Sequence, residues 1–233
     1  MHIIVTGASR GLGKAIAERF AAGGYGLVLC SRNEEGLKRV SEELKRDHPA
    51  LSVQARAFDL AKAEQAKGFG RWVLGLGISV DILVNNAGQF IPGSVYDEEE
   101  GALEKMIGVN LYSAYHLTRE LLPGMMERQK GHIFNICSIA SLQAYPNGGA
   151  YSISKFALAG FSRNLREEMK PYGIKVTAVY PGAVYTDSWA ASGVDPRRIM
   201  EAGDIAEMVY AAAGLSPQAT VEDILLRPQL GDL

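Results

Sequence analysis

Two residues four positions apart make the most specific chemical proposal in this sequence. Tyr151 and Lys155 stand in the run Tyr-Ser-Ile-Ser-Lys, and Ser138 precedes the tyrosine by thirteen positions. On a helix, positions i and i+4 lie one above the other, so the ammonium group would lie beside the phenol. We expect this positive charge to lower the pKa of the tyrosine from its usual value of about 10. The phenol would then exchange a proton with a carbonyl or an alcohol.

A glycine-rich segment near the start of the chain suggests a second kind of chemistry. An apolar run over 2–6 predicts a strand, and a helical pattern follows over 14–22. Glycines between a strand and a helix allow phosphate groups to approach the backbone and the positive end of the helix dipole. The segment between the two elements consists of Gly7, Ala8, Ser9, Arg10, Gly11, Leu12 and Gly13.

Two familiar phosphate-binding patterns can be tested against this segment. The ATPase and GTPase loop requires glycine where Ala8 stands and serine or threonine where Ala15 follows Lys14. The strict dinucleotide fingerprint Gly-x-Gly-x-x-Gly fails at Ile16. The pattern present is Thr-Gly-x-x-x-Gly-x-Gly, and its position after the first predicted strand favours a dinucleotide site.

Apolar runs alternate with helical patterns along the rest of the chain. This alternation predicts an α/β fold, a single doubly wound (Rossmann-type) domain over 1–233 with a parallel sheet covered by helices on both faces. The carboxyl ends of the strands then meet at one edge, so the glycine loop, Asn85, Ser138 and Pro181 should converge there. Further strands are predicted at 26–30, 53–58, 81–85, 132–136, 174–180 and 221–227, and helices at 34–47, 62–76, 98–129, 150–170 and 203–213.

The helix predicted over 150–170 carries an apolar stripe from which Tyr151 and Lys155 are offset. Pro171 and Gly173 should end this helix, and Pro123 interrupts the long helical stretch over 98–129. The stripe consists of Ile153, Phe156, Ala157, Phe161, Leu165 and Met169.

These motifs, taken in order, resemble those of the short-chain dehydrogenase/reductase family over residues 2 to about 186. The resemblance implies that Asn110, Ser138, Tyr151 and Lys155 form a catalytic tetrad, with a backbone carbonyl near Asn110 holding a proton-relay water. Lys155 would also contact the nicotinamide ribose, and Ser138 would polarise the substrate carbonyl. It further implies cofactor contacts from the glycine loop and from Asp59, Leu60, Asn86, Ala87, Gly88, Pro181, Gly182, Val184 and Thr186.

The end of the second predicted strand bears on the choice of cofactor. An acidic residue there would accept from the 2′-hydroxyl of NAD(H), whereas arginine suits the 2′-phosphate of NADP(H). Here Ser31 and Arg32 stand at this point, and Arg10 adds a second positive charge. We expect Ser31 and Glu34 to form a capping box, which would turn Glu34 away from the cofactor. NADP(H) is therefore favoured over NAD(H).

Composition excludes several other classes of function. The net charge of −2 gives no support for a nucleic-acid partner, and no apolar run is long enough for a membrane span. The first strand starts too early for a signal peptide, so a cytoplasmic protein with two buried, reduced cysteines, Cys30 and Cys137, is expected. His48, His116 and His132 lack metal-ligand spacing, and no metal is expected.

The substrate cannot be read from the sequence beyond a small carbonyl compound or alcohol. The substrate segment is expected at about 183–202, and Gln143, Tyr145, Tyr185 and Trp189 are candidates to line it. A 3-oxoacyl thioester reductase, a non-catalytic dinucleotide-binding regulator and a relative of the epimerases remain alternatives. Relatives pair through the helices at 98–129 and 150–170, which implies a homodimer or homotetramer.

Overall fold

The computed structural model describes residues 1–186 and 193–232. Within them, seven parallel strands form one sheet in the order β3-β2-β1-β4-β5-β6-β9. These strands are β1 (His2–Thr6), β2 (Gly26–Ser31), β3 (Val53–Ala57), β4 (Ile82–Asn85), β5 (Gly131–Ile136), β6 (Ile174–Pro181) and β9 (Asp223–Leu226). The strand order reverses between β1 and β4, which places the expected ligand crevice at their carboxyl ends.

Helices cover both faces of the sheet, as the alternating pattern predicts. They are α1 (Gly11–Ala22), α2 (Glu34–Asp47), α3 (Ala63–Leu74), α4 (Ala102–Ile107), α5 (Ser113–Glu127), α6 (Gly149–Met169) and α7 (Ala202–Ala213). The doubly wound parallel fold is thereby confirmed. None of the helices in the described ranges is both long and apolar enough to span a membrane.

Successive residues of the central strands serve two different cores. On β1, Ile3 and Val5 contribute to the core under α1, α2 and α7, whereas Ile4 contributes to the core under α3, α5 and α6. All three side chains have no solvent exposure. Strands buried on both faces are nearly continuous in apolar residues, because every side chain meets a helix layer. The sheet is therefore a rigid platform for the loops at its edge.

The helical stretch predicted over 98–129 is divided into two helices. Helix α4 starts at Ala102, and a π-helical turn over Gly108–Tyr112 separates it from α5. At this turn the Ser113 N–H bonds to the Gly108 carbonyl, five residues back. Pro123 lies inside α5, so the expectation that it interrupts the helix is wrong. The π-turn matters because Asn110 stands within it.

The predicted apolar stripe of α6 is partly wrong. Ile153 and Phe156 are 44% and 45% exposed, whereas Lys155 and Arg166 are buried. The Arg166 side chain is buried between α6 and the sheet because its guanidinium donates to the Val176 carbonyl and pairs with Asp223 at 2.8 Å. Specific hydrogen bonds thus override the polarity that the sequence pattern assigns to each face.

Two short strands missed by the sequence patterns lie beside the main sheet. They are β7 (Val184–Tyr185) and β8 (Met200–Glu201), which pair in parallel. Their pairing sets Val184 beside Met200 and Tyr185 beside Glu201. Two-residue strands carry too few positions for an alternating pattern to reveal them.

Candidate active site

The loop between β1 and α1 is shaped by glycines that no other residue can replace without displacement. Gly7 has φ +66°, a conformation that side-chain-bearing residues rarely adopt. A Cβ on Gly13 would lie 2.4 Å from the Gly7 carbonyl oxygen and 2.5 Å from Asn86 Nδ2. The loop therefore folds directly against the end of β4, with no room for a methyl group.

Polar bonds join the same loop to the chain after β4. The Thr6 hydroxyl accepts from the backbone N–H groups of Asn86 and Ala87, both at 2.9 Å. The Asn86 amide donates to the carbonyls of Thr6 at 2.8 Å and Gly7 at 3.3 Å. These bonds hold two adjacent strand ends in register, so Asn86 and Ala87 lie beside the glycine loop as the sequence indicated.

The first turn of α1 fits an anionic ligand. Arg10, the N-cap residue, has an extended backbone and does not cap the helix with its side chain, and the first turn contains no acidic residue. The first backbone N–H groups of α1 therefore remain available for hydrogen bonds with an anion. A Cβ on Gly11 (φ +54°) would lie 3.3 Å from the Thr186 methyl carbon, so Thr186 closes over this turn. The tightly packed glycine loop and the uncapped N-terminus of α1 fit the pyrophosphate of a dinucleotide.

The end of β2 differs from the expected capping box. The N-cap of α2 is Asn33, whose side chain accepts from the Gly36 N–H at 2.9 Å. Ser31 instead donates its hydroxyl to Ser9 at 2.8 Å and accepts from the Asn33 N–H. The prediction failed because Ser31 still belongs to the strand, two residues before the helix cap. Glu34 consequently has no capping role.

Arg32 extends from this corner into solvent. Its side chain is exposed and carries no ion pair with any residue in the described ranges. At the next strand end, the Asp59 carboxylate accepts from the Ala61 N–H at 3.3 Å, and Leu60 is buried beside Ala66. The structure thus places Arg32 and Asp59 at neighbouring strand ends, with the arginine free to reach a ligand.

A cleft of about 440 Å³ opens at the carboxyl ends of β4, β5 and β6. It extends from the nucleotide loop at Leu12 to the predicted catalytic residues, so the structure brings the two predicted sites together. The predicted residues that line it are Leu12, Asn86, Gly88, Ser138, Gln143, Tyr145, Tyr151, Lys155, Pro181, Gly182, Val184 and Thr186.

The pKa of Tyr151 is shifted upwards, opposite to the direction expected from the sequence. Burial raises the pKa of this phenol to about 12, and a hydrogen bond with Ser138 opposes the increase only in part. The Phe90 ring packs edge-on against it, with ring centroids 4.8 Å apart. Lys155 does not lower the tyrosine pKa here because its Nζ lies 5.8 Å from the ring centroid and bonds elsewhere. Desolvation therefore outweighs the nearby charge.

Lys155 is buried, with 6% of its surface exposed. Its Nζ donates to the Ile136 carbonyl at 2.8 Å, and burial lowers the pKa of the ammonium to about 8. A Cβ on Gly88 would lie 3.7 Å from Nζ, so the ammonium faces the loop after β4. An ammonium has three donors, and the ribose hydroxyls of a dinucleotide would suit the others.

Ser138 follows β5 and caps a short 3₁₀ turn. Its hydroxyl accepts from the Ala140 N–H at 3.1 Å, while its own N–H donates to the Ser141 hydroxyl at 3.2 Å. The backbone therefore fixes the rotamer of the hydroxyl that meets Tyr151. The role of a turn cap and the role expected of a polarising group are compatible, because a lone pair accepts from the Ala140 N–H while the O–H can donate to a carbonyl oxygen.

Asn110 supports the site through its side chain. Its amide donates to the Ser154 hydroxyl at 2.8 Å and to the Gln89 carbonyl at 3.0 Å, and its oxygen accepts from the Gln89 N–H at 2.8 Å. The π-turn aims this side chain at α6 and at the loop after β4. Asn110 is 1% exposed and does not line the cleft. The role expected for its backbone stays a prediction.

The sequence did not reveal Phe90 in the cleft or the residue that anchors its loop, Glu98. Phe90 covers Tyr151, and Glu98 fastens the loop that carries Phe90, because its carboxylate accepts from the Ala150 N–H at 3.0 Å on the first turn of α6. A lone aromatic residue in a loop has no pattern to distinguish it. The acidic run around Glu98 looks like an exposed face in sequence and shows its anchoring role only in three dimensions.

The expected substrate wall is partly assembled. Tyr145 lines the cleft, whereas Tyr185 is 43% exposed and does not line it. Trp189 lies outside the described residues. Asp232, near the carboxyl end of the described chain, lines the cleft and was not expected there. Both cysteines are free and buried, as predicted.

Comparison with known proteins identifies the family of this arrangement. The model of the short chain dehydrogenase family matches residues 1–196. A similar curated protein is an uncharacterized oxidoreductase of Staphylococcus aureus (strain USA300), 32% identical over 225 residues, which are 97% of this chain and 96% of the relative.

Solved structures agree with this result. An alcohol dehydrogenase from the archaeon Thermococcus sibiricus, complexed with 5-hydroxy-NADP, superposes with a TM-score of 0.89 at 29% identity over 97% of this chain and 96% of that one. The closed form of a serine dehydrogenase complexed with NADP+ gives a TM-score of 0.90 at 27% identity over 100% and 97% of the two chains.

Proposed function

This chain belongs to the short-chain dehydrogenase family, and from that premise we propose that it is an NADP(H)-dependent oxidoreductase that interconverts a carbonyl and an alcohol, with Tyr151 as the proton donor and acceptor. One observation carries the proposal. Ser138, Tyr151 and Lys155 line the same cleft as Leu12 and Asn86 of the nucleotide-binding edge. A proton donor thus faces the place to which a dinucleotide would deliver hydride.

The roles of the side chains follow from their bonds. When bound, the nicotinamide dinucleotide supplies or accepts the hydride. The Tyr151 hydroxyl gives its proton to the oxygen of the carbonyl, and Ser138, held by the Ala140 N–H, orients that oxygen. Lys155 holds the ribose with donors that its bond to the Ile136 carbonyl leaves free. In the reverse direction the phenolate oxygen takes the proton of the alcohol.

The protonation state of Tyr151 favours reduction. With a pKa of about 12, the phenol keeps its proton throughout the neutral range and is a ready donor. Lys155, with a pKa of about 8, is mostly charged at neutral pH and loses its charge above pH 8. The kcat/KM for reduction should therefore be flat below this pH and fall above it, since the cationic ribose contact is lost.

The preference for NADP(H) rests on Arg32. Its exposed guanidinium is free of ion pairs within the described part of the chain and stands at the end of β2. A guanidinium binds phosphate with two parallel charge-assisted hydrogen bonds. Glu34 and Glu35 are also exposed nearby, but neither stands at the strand end, where the ribose hydroxyl of NAD(H) would be bound. The NADP-bound structural relatives point in the same direction.

The proposal includes a cytoplasmic homodimer or homotetramer. The outer face of α6 exposes Ile153 and Phe156, and the adjoining π-turn exposes 48% of Tyr112. Apolar side chains grouped on helices are typical of an interface between subunits. Sedimentation of a monomer at micromolar concentration would contradict this part of the proposal.

The catalytic proposal is tested by Tyr151→Phe. This variant removes one oxygen, so the fold should persist while NADPH-dependent turnover of a carbonyl falls by about 100-fold or more. Substrates come from a carbonyl panel followed by loss of nicotinamide absorbance. Tyr180→Phe is the matched control, because it also removes a buried phenolic oxygen but does not line the cleft. Near-normal kcat in Tyr151→Phe at every pH would refute the mechanism.

A further inference from the structure

The guanidinium of Arg198 holds the segment after β9 folded back towards the cleft. Arg198 donates to the carbonyls of Gly231 at 3.0 Å, Asp232 at 3.2 Å and Leu230 at 3.3 Å. Residues 228–231 form a turn, because the Gly231 N–H bonds to the Pro228 carbonyl at 2.8 Å and Gly231 has φ +86°. Residues 227–232, called the tail below, are therefore held in one conformation.

This conformation places the Asp232 carboxylate at the cleft. Its Oδ2 pairs with Arg227 Nη1. Its Oδ1 is buried, and no hydrogen bond to it exists among residues 1–186 and 193–232. A Cβ on Gly182 would lie 3.3 Å from this oxygen, so Oδ1 lies against the strand end that the nucleotide and the catalytic residues share. A carboxylate oxygen buried without a donor costs free energy, which a ligand that supplies a donor recovers.

The chemistry of the oxygen restricts that ligand. An ionised carboxylate only accepts hydrogen bonds, so its partner must be a donor. Arg227 already balances the charge, so a second cation is not needed. The remaining polar groups of the cleft include the Gln89 and Gln143 side chains, which suit a polar ligand as well. A neutral hydroxyl group suits this site, because it can donate to the carboxylate, whose charge Arg227 already balances, and because the wall of the cleft is polar.

We propose that Asp232 is a specificity-determining residue that accepts a hydrogen bond from a substrate hydroxyl group, so that the enzyme prefers carbonyl compounds bearing a second oxygen function, such as hydroxyketones, over plain ketones. The inference rests on the proposed carbonyl reduction and specifies its substrate class. Position 182 is a glycine, and any larger residue there would contact this oxygen, since its Cβ would lie 3.3 Å away.

The experiment compares two ketones that differ by one hydroxyl group. The kcat/KM with NADPH is measured for 3-hydroxy-2-butanone and for 2-butanone in the parent and in Asp232→Ala. The parent should prefer the hydroxyketone by about 10- to 100-fold, the discrimination expected when a site has a buried group for a substrate hydroxyl. Asp232→Ala should remove this preference, so that the kcat/KM values for the two ketones differ by no more than about twofold. Asp232→Asn, which keeps an acceptor oxygen, should retain part of it.

Controls separate this role from others. Asp47→Asn removes a carboxylate that is also paired with an arginine but is exposed and far from the cleft, so both ketones should be unaffected. The thermal unfolding temperature of each variant shows whether the tail change disturbs the fold. The affinity for NADP+, measured by calorimetry, should be the same in the parent and Asp232→Ala.

Other outcomes of this experiment would overturn either the inference or the proposed function. Equal losses for both ketones in Asp232→Ala, or weaker NADP+ binding, would overturn the inference, because the carboxylate would then support the tail or the cofactor. If the parent preferred an amino ketone but not the hydroxyketone over 2-butanone, the inference would also be overturned, because the carboxylate would then bind a cation. If the parent reduces neither these ketones nor any of the carbonyl panel, the proposed function itself fails; reduction of 2-butanone without preference leaves that function standing and refutes the inference alone.

Discussion

The nucleotide-binding loop and the opposite wall of the cleft are built in different ways. The loop, residues 7–13, is held by backbone groups and glycines, and Thr6 and Asn86 join it to the next strand through bonds of 2.8–3.3 Å. The wall combines Phe90, Tyr145 and Asp232, which come from three distant segments. Backbone packing tolerates few substitutions, whereas side chains on a wall can be exchanged one at a time. We therefore expect variants in the loop to cost more than variants in the wall.

The largest effect is expected from Gly13→Ala. Its methyl carbon would lie 2.4 Å from the Gly7 carbonyl oxygen, so the loop must move away from β4. Overpacking of this kind costs about 1–3 kcal/mol of stability. NADP+ affinity should fall by about 100-fold or more, because the phosphate cradle is lost.

The control for this variant is Gly203→Ala, at an exposed position of α7 where a Cβ meets nothing within 4 Å. It should stabilise the protein by roughly 0.5–1 kcal/mol, since alanine is the better helix former. Calorimetric NADP+ binding and thermal unfolding measure both variants. Unchanged binding and stability in Gly13→Ala would show that the loop is more adaptable than its contacts indicate.

A smaller effect is expected from Arg32→Leu. The kcat/KM for NADPH should fall by about 10- to 100-fold, because two charge-assisted hydrogen bonds to the 2′-phosphate are lost. The value for NADH should hardly change. Changing this residue alone is cleaner than changing Ser31 as well, since the Ser31 hydroxyl is bonded to Ser9 and an aspartate there would be buried.

Arg39→Leu is the matched control, because Arg39 is an exposed arginine on the adjoining helix α2. Its NADPH kinetics should equal those of the parent. If the parent shows no preference for NADPH, or prefers NADH, Arg32 does not bind a phosphate and Glu34 or Glu35 becomes the candidate for the ribose.

The smallest effect is expected from Phe90→Ala on the wall. Removal of the ring lets water reach Tyr151, so the pKa of the phenol should move from about 12 towards its ordinary value near 10. Alcohol oxidation requires the phenolate, so its rate increases with pH. In Phe90→Ala this increase should begin at a lower pH than in the parent. The kcat/KM for bulky apolar carbonyls should fall by about 3- to 10-fold through lost contact area.

Tyr96→Ala provides the comparison for Phe90→Ala, because Tyr96 is an aromatic residue of the same loop but is 88% exposed. The full pH profile of both variants distinguishes a change in the tyrosine environment from a general loosening of the loop. An identical profile in Phe90→Ala and the parent would mean that Phe90 does not control the hydration of Tyr151.

Local regularities explain what the sequence by itself determined. The parallel sheet followed from apolar runs alternating with helical periods, and the edge where the loops meet followed from the fixed handedness of the crossovers. The convergence of the glycine loop, Ser138 and Pro181 at one edge was predictable on this basis, because each follows a strand. Such features depend on neighbours in sequence or on topology alone.

The tertiary structure decided the environment of each group. Lys155 lies within one helical turn of Tyr151, yet the tyrosine pKa rises because Phe90 and the sheet exclude water, and no sequence spacing reports desolvation. Ser31 looked like a helix cap, but β2 extends through it and Asn33 caps instead. Asp232 reaches the cleft because Arg198 binds the carbonyls of the tail. Burial and long-range hydrogen bonds join residues far apart in the chain, so they exist only once the fold has formed.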